Sequence, residues 1–296
     1  MKDVLIGINT YKGASRVDAC VQSIHKHTTG DYEIVLCDDG SPDRGEALRI
    51  VANRHRCDVI CHYKNRGIPA AWNTLMKSRD YPIKVILNDD ILVTRGWLKH
   101  MVYFLKNNPK AAGVSWPLYF TVFGDYPRIL ASDPSVMPRD PLTKVEKPEY
   151  RTQGWGARPG KIMCMSGCAF AMTNEMWKKV GEFDETFLSF HEESDWGTRA
   201  AAMGLASYGL SYPAVWHIWS QTFGDSPELN SHWRMKDSRA KYCTKWNIPE
   251  KYWGNPFEYM NPKLMPQIPP NEVRWLDPGD VERVDTEQPD TRKGPE

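Results

Sequence analysis

The chain opens on a short apolar run, Val4-Leu5-Ile6-Gly7-Ile8, with no polar residue alternating through it. That is the pattern of a strand buried on both faces. Asn9-Thr10-Tyr11 follows, and the period then changes. Val17, Cys20, Val21 and Ile24 stand at i, i+3, i+4 and i+7, one face of a helix that Ser15 is placed to cap. The alternation repeats. Tyr32–Cys37 predicts a second strand, and Asp43 opens a helix with Ala47, Leu48, Ile50 and Val51 inward. Cys57–Tyr63 predicts a third strand, before a helix through Ala71, Trp72, Leu75 and Met76. Ile83–Leu87 predicts a fourth, ended by Asn88-Asp89-Asp90. A βαβαβαβ run predicts a mostly parallel sheet with helices on both faces. Ligands of such sheets bind beyond the carboxyl ends of the strands. Asn9-Thr10-Tyr11, Asp38-Asp39, Lys64-Asn65-Arg66 and Asn88-Asp89-Asp90 are therefore expected to face one crevice.

The second half is less regular. Residues 117–160 are rich in Pro, Gly and aromatic residues and read as a long loop region. Met163–Met172 predicts a strand, and Thr173 is placed to cap a short helix to Val180. Glu192–Met203 predicts a helix and Ala206–Leu210 a strand. Residues 226–260 mix helix and loop. Pro and alternating charge dominate from about 262 onward, so an extended or disordered tail is expected there.

A chain of 296 residues suits one α/β domain or two intimately packed halves. Lys and Arg total 38 against 37 Asp and Glu, which argues against a whole-protein electrostatic nucleic-acid binder but not against a local basic patch. No apolar run is long enough for a transmembrane helix, and the first apolar run is too short for a secretory signal. The seven cysteines are odd in number and scattered, which points to a reducing, cytoplasmic setting rather than a disulfide scaffold. Of 12 Trp, nine lie after residue 150, so the two halves differ chemically.

Several short segments could carry chemistry. Adjacent carboxylates at the end of a buried strand, as in Asn88-Asp89-Asp90, repel each other unless a cation offsets them. Hard oxygen ligands of this kind suit Mg²⁺ or Mn²⁺; the structural alternative is a helix cap, since a helix is expected near Thr94. Asp38-Asp39-Gly40-Ser41 could offer a carboxylate to a base or ribose, or form an Asx turn. Gly67 and Pro69 mark a strand-to-helix junction whose free N–H groups could meet a phosphate. His191-Glu192-Glu193-Ser194-Asp195 crowds three carboxylates at a helix start, where they could be structural or could raise one pKa toward that of a general base. His217 lies among aromatic residues and could be core or ligand. Cys57/Cys61 and Cys164/Cys168 read as core, since no second ligand pair has zinc-site spacing.

Taken in order, these segments resemble family 2 glycosyltransferases of the GT-A fold, from about Val4 to Phe223. The resemblance is carried by Val4–Tyr11, Cys20–Ile24, Glu33–Asp43, Asn65-Arg66-Gly67 with Asn73, and Leu87–Asp90. Ser166–Phe170, Val180–Glu185, Glu192–Asp195 with Arg199, and His217 with Thr222 complete it. It implies an α/β fold with a Rossmann-like, mostly parallel central sheet flanked by helices, and a C-terminal acceptor-binding extension. Residues 1–100 would form the nucleotide-sugar half and 101–225 the acceptor and catalytic half. Residues 226–262 would form a Trp-rich basic extension, and 263–296 the tail. The implied reaction is an inverting transfer from a nucleotide-diphosphate sugar to an acceptor hydroxyl. Asn9, Thr10, Tyr11, Asp38, Asp39 and Asn65, with Gly67, match nucleotide-binding positions. Asn88-Asp89-Asp90 matches the DxD-type site for Mn²⁺ or Mg²⁺. Asn replaces its first acid, leaving Asp90 the main ligand and Asp89 the second candidate. His217 matches a position that completes the metal or diphosphate site. The base position falls at Glu193, with Asp195 a rival.

The implied donor is a UDP- or dTDP-sugar, and the acceptor a glycan, a lipid-linked sugar or a protein. Segment 231–251 interleaves basic and aromatic residues, which keeps open the same chemistry on hydroxylated or hydroxymethylated DNA bases; a solvated helix face is the plainer reading. A nucleotidyltransferase could share the sheet, but Gly181–Glu185 and Glu192–Asp195 argue against it. Asn88 keeps open a non-catalytic sugar-nucleotide binding module.

Overall fold

The computed structural model describes residues 3–116, 118–120, 160–162, 164–210, 215–217, 222, 226–264 and 273–274. Most of the 117–160 loop region and of the tail from 263 lies outside the described residues. The first four strands form where their patterns place them: β1 (Val4–Thr10), β2 (Tyr32–Asp38), β3 (Asp58–Cys61) and β4 (Ile83–Asn88). They pair in parallel in the order β3-β2-β1-β4. After a short β5 (Ile91–Leu92) come β6 (Ala111–Ser115), β7 (Leu118–Phe120), β8 (Gly160–Ile162), β9 (Ala169–Thr173), β10 (Ala206–Gly209) and β11 (Val215–His217). Among the described residues the main sheet has eight strands, continuing β4-β9-β6-β10-β8. Only β9 and β8 run against the rest, so the sheet is mostly parallel. β5, β11 and β7 form a separate three-stranded sheet.

Alternate residues of β1 enter opposite cores. Val4, Ile6 and Ile8 pack with α1 (Ala14–His27), α2 (Glu46–His55) and α4 (Trp97–Asn107). Leu5 packs on the other face with α3 (Ile68–Ser78), α5 (Asn174–Val180) and α6 (Glu192–Ala202). A third cluster of Phe187, Tyr242, Cys243, Ile248 and Met260 joins α7 (Ser231–Lys245) and α8 (Pro256–Leu264) to the domain. No helix among the described residues is long and apolar enough to cross a membrane.

Three local expectations are corrected. Ser15 does not cap α1; the helix starts two residues earlier, at Ala14 behind Gly13, with no side-chain cap. Ala47 is exposed and Ile50 is 63% exposed, neither of them inward. Ala47 lies about 100° and Ile50 about 200° of helix from buried Leu48, whereas Val51 and Ala52 share the face of Leu48. The expected strand at 163–172 forms only from Ala169. Residues 164–168 turn instead, carrying Ser166-Gly167-Cys168 toward the carboxyl ends of the strands. Thr173 caps α5 as expected, its Oγ1 accepting from the Met176 N–H at 3.2 Å.

Candidate active site

Sheet register brings the polar strand ends together. Thr10 stands beside Asp38, and Asn9 beside Asn88. One cleft is lined by Asn9, Thr10, Tyr11, Asp39, Asn65, Gly67, Asn88, Asp89, Asp90, Glu193 and His217. Gly167, Ser189, Phe190, Glu192, Thr222, Leu229 and Arg234 also line it. Asp38 and Asp195, both expected at the site, do not.

At the β4 end the two aspartates have different work. Asp89 Oδ2 accepts from Thr10 Oγ1 at 2.5 Å and from the buried Arg16 guanidinium at 3.2 Å. Burial pushes the Asp89 carboxyl up to about 6 against the opposing pull of Arg16. Asp89 is therefore committed to the protein. Asp90 is 5% exposed and its Oδ1 receives no hydrogen bond. It faces His217 Nε2 at 3.3 Å as an ion pair. The antiparallel pairing of β11 with β5 sets His217 opposite Ile91, next in sequence to Asp90. Burial alone would lower the His217 pKa; the Asp90 carboxylate raises it well above its ordinary value. Asn88 Oδ1 is buried without a hydrogen-bond partner as well. Neither aspartate caps a helix, since α4 starts only at Trp97. Buried acceptors are rarely left unpaired, and two oxygen acceptors beside an imidazole form a donor set that fits Mg²⁺ or Mn²⁺.

At the β2–β3 end the carboxylates are structural. Asp38 forms the Asx turn, accepting from Ser41 Oγ and the Ser41 N–H, and burial raises its pKa. Asp39 accepts from the Arg66 N–H at 3.0 Å, the Gly67 N–H at 2.9 Å and His62 Nδ1 at 2.8 Å. His62 Nε2 accepts in turn from Thr74 Oγ1 at 2.8 Å. Asp39 thereby fixes the Asn65–Gly67 loop on the cleft wall. Gly67 has φ +95°, and a Cβ there would stand 2.4 Å from the Leu188 carbonyl oxygen, so the junction needs glycine. Asn9 Oδ1 accepts from Trp72 Nε1 at 2.9 Å.

The far wall is the start of α6. Phe190 and His191 both have φ +66°, a left-handed conformation uncommon outside glycine. This bend turns Phe190, Glu192 and Glu193 into the cleft. One oxygen of each glutamate, Oε2, is buried without a partner. Burial pushes Glu193 up to about 7 and Glu192 well above the carboxylate range. Gly167 lets Glu193 in: a Cβ there would lie 3.2 Å from its carboxyl carbon.

Asp195 points the other way and is fully buried. It accepts from Arg199 Nε at 3.0 Å, Trp246 Nε1 at 3.0 Å and Lys245 Nζ at 2.9 Å. The third carboxylate of the segment thus pins α6 to α7. Asp195→Ala leaves these donors facing a buried gap and is expected to cost about 3 kcal/mol, the low end for a broken buried pair because Lys245 keeps Asp184. Urea unfolding of the variant measures it.

Two lysines of the basic segment are paired within the protein. Lys241 donates to the Thr186 carbonyl at 2.9 Å and Lys245 to Asp184 at 2.7 Å. Ser238 Oγ donates to the Ser189 carbonyl, and His191 stacks on Tyr242. Helix α7 therefore cradles the bend at 184–191. Arg234 instead reaches the cleft, where its Nη2 donates to Asn65 Oδ1 at 3.3 Å. From the sequence, Glu192 stood only as one of three crowded carboxylates and Arg234 only as part of segment 231–251, neither with a place of its own in the site. Glu192 was hidden in a charged run, and Arg234 in a segment with the period of a solvated face.

The sequence model described as Glycosyl transferase family 2 matches residues 5–181. Among curated proteins, the chain is 34% identical over 76 residues to the "Uncharacterized glycosyltransferase EpsJ" of Bacillus subtilis (strain 168), covering 25% of this chain and 22% of that protein. It is 37% identical over 94 residues to the chondroitin synthase of Escherichia coli, covering 30% and 13%. The chain thus spans under a quarter of either relative. Among solved structures, it is similar to the mannosyltransferase PcManGT from Pyrobaculum calidifontis in complex with GDP-Man and Mn²⁺ (TM-score 0.57, 18% identity, 90% of this chain and 72% of that one). It is also similar to residues 1–349 of TarS from S. aureus (TM-score 0.56, 16% identity, 89% and 74%). A third is GalNAc-T7 with UDP, GalNAc and Mn²⁺ (TM-score 0.57, 14% identity, 91% and 59%). At these identities the structures speak for the fold alone, and that fold is GT-A.

Proposed function

This chain belongs to glycosyl transferase family 2, and we propose that it moves a sugar, with inversion, from a nucleotide-diphosphate sugar to an acceptor hydroxyl. One observation carries the reading. Buried acceptor oxygens face one cleft from two walls: Asn88 and Asp90 from the end of β4, the Asp90 oxygen met only by the His217 imidazole, and Glu192 and Glu193 from α6. The first pair suits a cation on a leaving diphosphate, and the second suits a hydroxyl that must lose its proton.

In this reading Asn9, Thr10, Tyr11, Asp39 and Asn65 shape the nucleotide pocket. Asp90 would hold Mg²⁺ or Mn²⁺ with Asn88 and, on loss of its proton, His217, and the bound ion would neutralise charge on the departing diphosphate. Glu193 takes the proton as the acceptor oxygen bonds to the anomeric carbon and the sugar–phosphate bond breaks. A base facing the side opposite the leaving group gives inversion. The pKa of Glu193, near 7, suits a base that works at neutral pH. Asp195 acts by holding α6. The two halves, 1–100 and 101–225, supply donor and acceptor walls, and 226–262 braces the acceptor wall.

A glycan, lipid-linked sugar or protein acceptor fits better than DNA. Lys241 and Lys245, two of the basic residues that would form a strand-binding groove, are already paired within the protein. The test is release of nucleoside diphosphate from a panel of nucleotide sugars with Mn²⁺, Mg²⁺ or EDTA. Metal-dependent turnover of one donor is expected. Failure of every donor both to bind and to turn over would sink the proposal.

A further inference from the structure

Arg234 is the cation at the cleft that the reaction above does not use. It is half-buried, and burial lowers its pKa. Among the described residues no ion pair neutralises it. Its one hydrogen bond there, to Asn65, is long at 3.3 Å. A guanidinium carries five N–H donors and no acceptor, so most of its donor capacity is unused where it lines the cleft. Its host is fixed, since α7 is tied to the body through Ser238 and Tyr242.

Position along the cleft decides what it meets. Asp90 lies at the end of β4, and Asp39 and Asn65 at the ends of β2 and β3. In the order β3-β2-β1-β4 these ends are two to three strand spacings apart, about 10–14 Å. A diphosphate anchored near Asp90 therefore places its nucleoside, not its phosphates, beside Asn65 and Arg234.

We propose that Arg234 reads the donor's nucleobase and selects one that presents carbonyl oxygens. The inference rests on the transferase reading above. A donor-only fork pairs with acceptors such as the keto oxygens of uracil, thymine or guanine. Adenine has no carbonyl, and on its edges each ring nitrogen acceptor stands beside or between amino and C–H groups.

The test is calorimetric binding of UDP, dTDP, GDP, ADP and inorganic pyrophosphate, with Mn²⁺, to the wild type, Arg234→Met and Arg234→Lys. The wild type is expected to bind at least one keto-base diphosphate about 10-fold more tightly than ADP. Arg234→Met should erase that preference by weakening the keto-base ligand alone. Unchanged pyrophosphate affinity would show that the cleft still folds. Arg234→Lys should behave like Arg234→Met, because it keeps the charge but not the planar fork. An equal loss for ADP and pyrophosphate, or an intact preference in Arg234→Met, overturns the assignment and leaves the transferase reading standing. Binding of no nucleoside diphosphate by the wild type overturns both.

Discussion

Glu193→Gln should lower turnover by about 10²–10⁴-fold, the usual contribution of a general base, and leave donor affinity unchanged. The amide keeps the shape of the side chain on the α6 wall but cannot take a proton. In the wild type the group titrates near 7. Activity should therefore rise with pH up to about 7 and then level, and the variant should lose that limb. Stability should move the opposite way. The folded pKa is raised above the ordinary 4.5 because burial disfavours the charged form. Between those values the folded state holds the extra proton, so this group's contribution falls as pH rises and the penalty is complete above 7. The variant carries no such charge. It should unfold at a higher temperature than the wild type at pH 8, by roughly 1–3 kcal/mol of stability, and match it near pH 4. Steady-state rates and thermal melts at the two pH values check both halves. Normal turnover in Glu193→Gln would refute the base assignment.

Asp90→Ala should lower metal affinity, donor affinity and turnover together, each by about 10²-fold or more. Loss of a supporting residue around a bound metal already costs about 10–100-fold, and Asp90 is proposed as a direct ligand. The result separates Asp90 from its neighbour. Asp89 is held by Arg16 and Thr10, so its loss would take the carboxylate from beside a buried guanidinium, and would be felt first as instability. Mn²⁺ titration of the folded variant, followed by nucleotide-sugar turnover, reads all three quantities. Turnover that survives both the substitution and EDTA would remove the metal from the reaction.

Much of the fold was legible along the chain because its cause is local. A strand buried on both faces has to be apolar throughout, and a helix on its surface has to repeat its apolar face at 3.6 residues. Those rules placed β1 to β4 and the three helices between or after them. Ile50 failed through a lapse of the same rule, since its angle from Leu48 already put it outside. The strand expected at 163–172 failed for another reason. Cys164, Met165 and Cys168 are buried, but around a turn, and an apolar stretch does not say which way the backbone runs.

The order of polar groups after each strand by itself determined that a crevice would form at that end of the sheet, because parallel strands put all their carboxyl ends on one side. Tertiary structure alone decided what each carboxylate does there. Asp89 and Asp90 are adjacent and chemically identical, yet one meets Arg16 from α1 and the other His217 from β11. Glu193 and Asp195 lie on one helical turn, yet one faces the cleft and the other Lys245 and Trp246. Arg234 became a cleft residue only because α7 folds back across the strand ends. The role of a charge is set by its partners and its burial, and those partners lie 50 to 169 residues away in the chain.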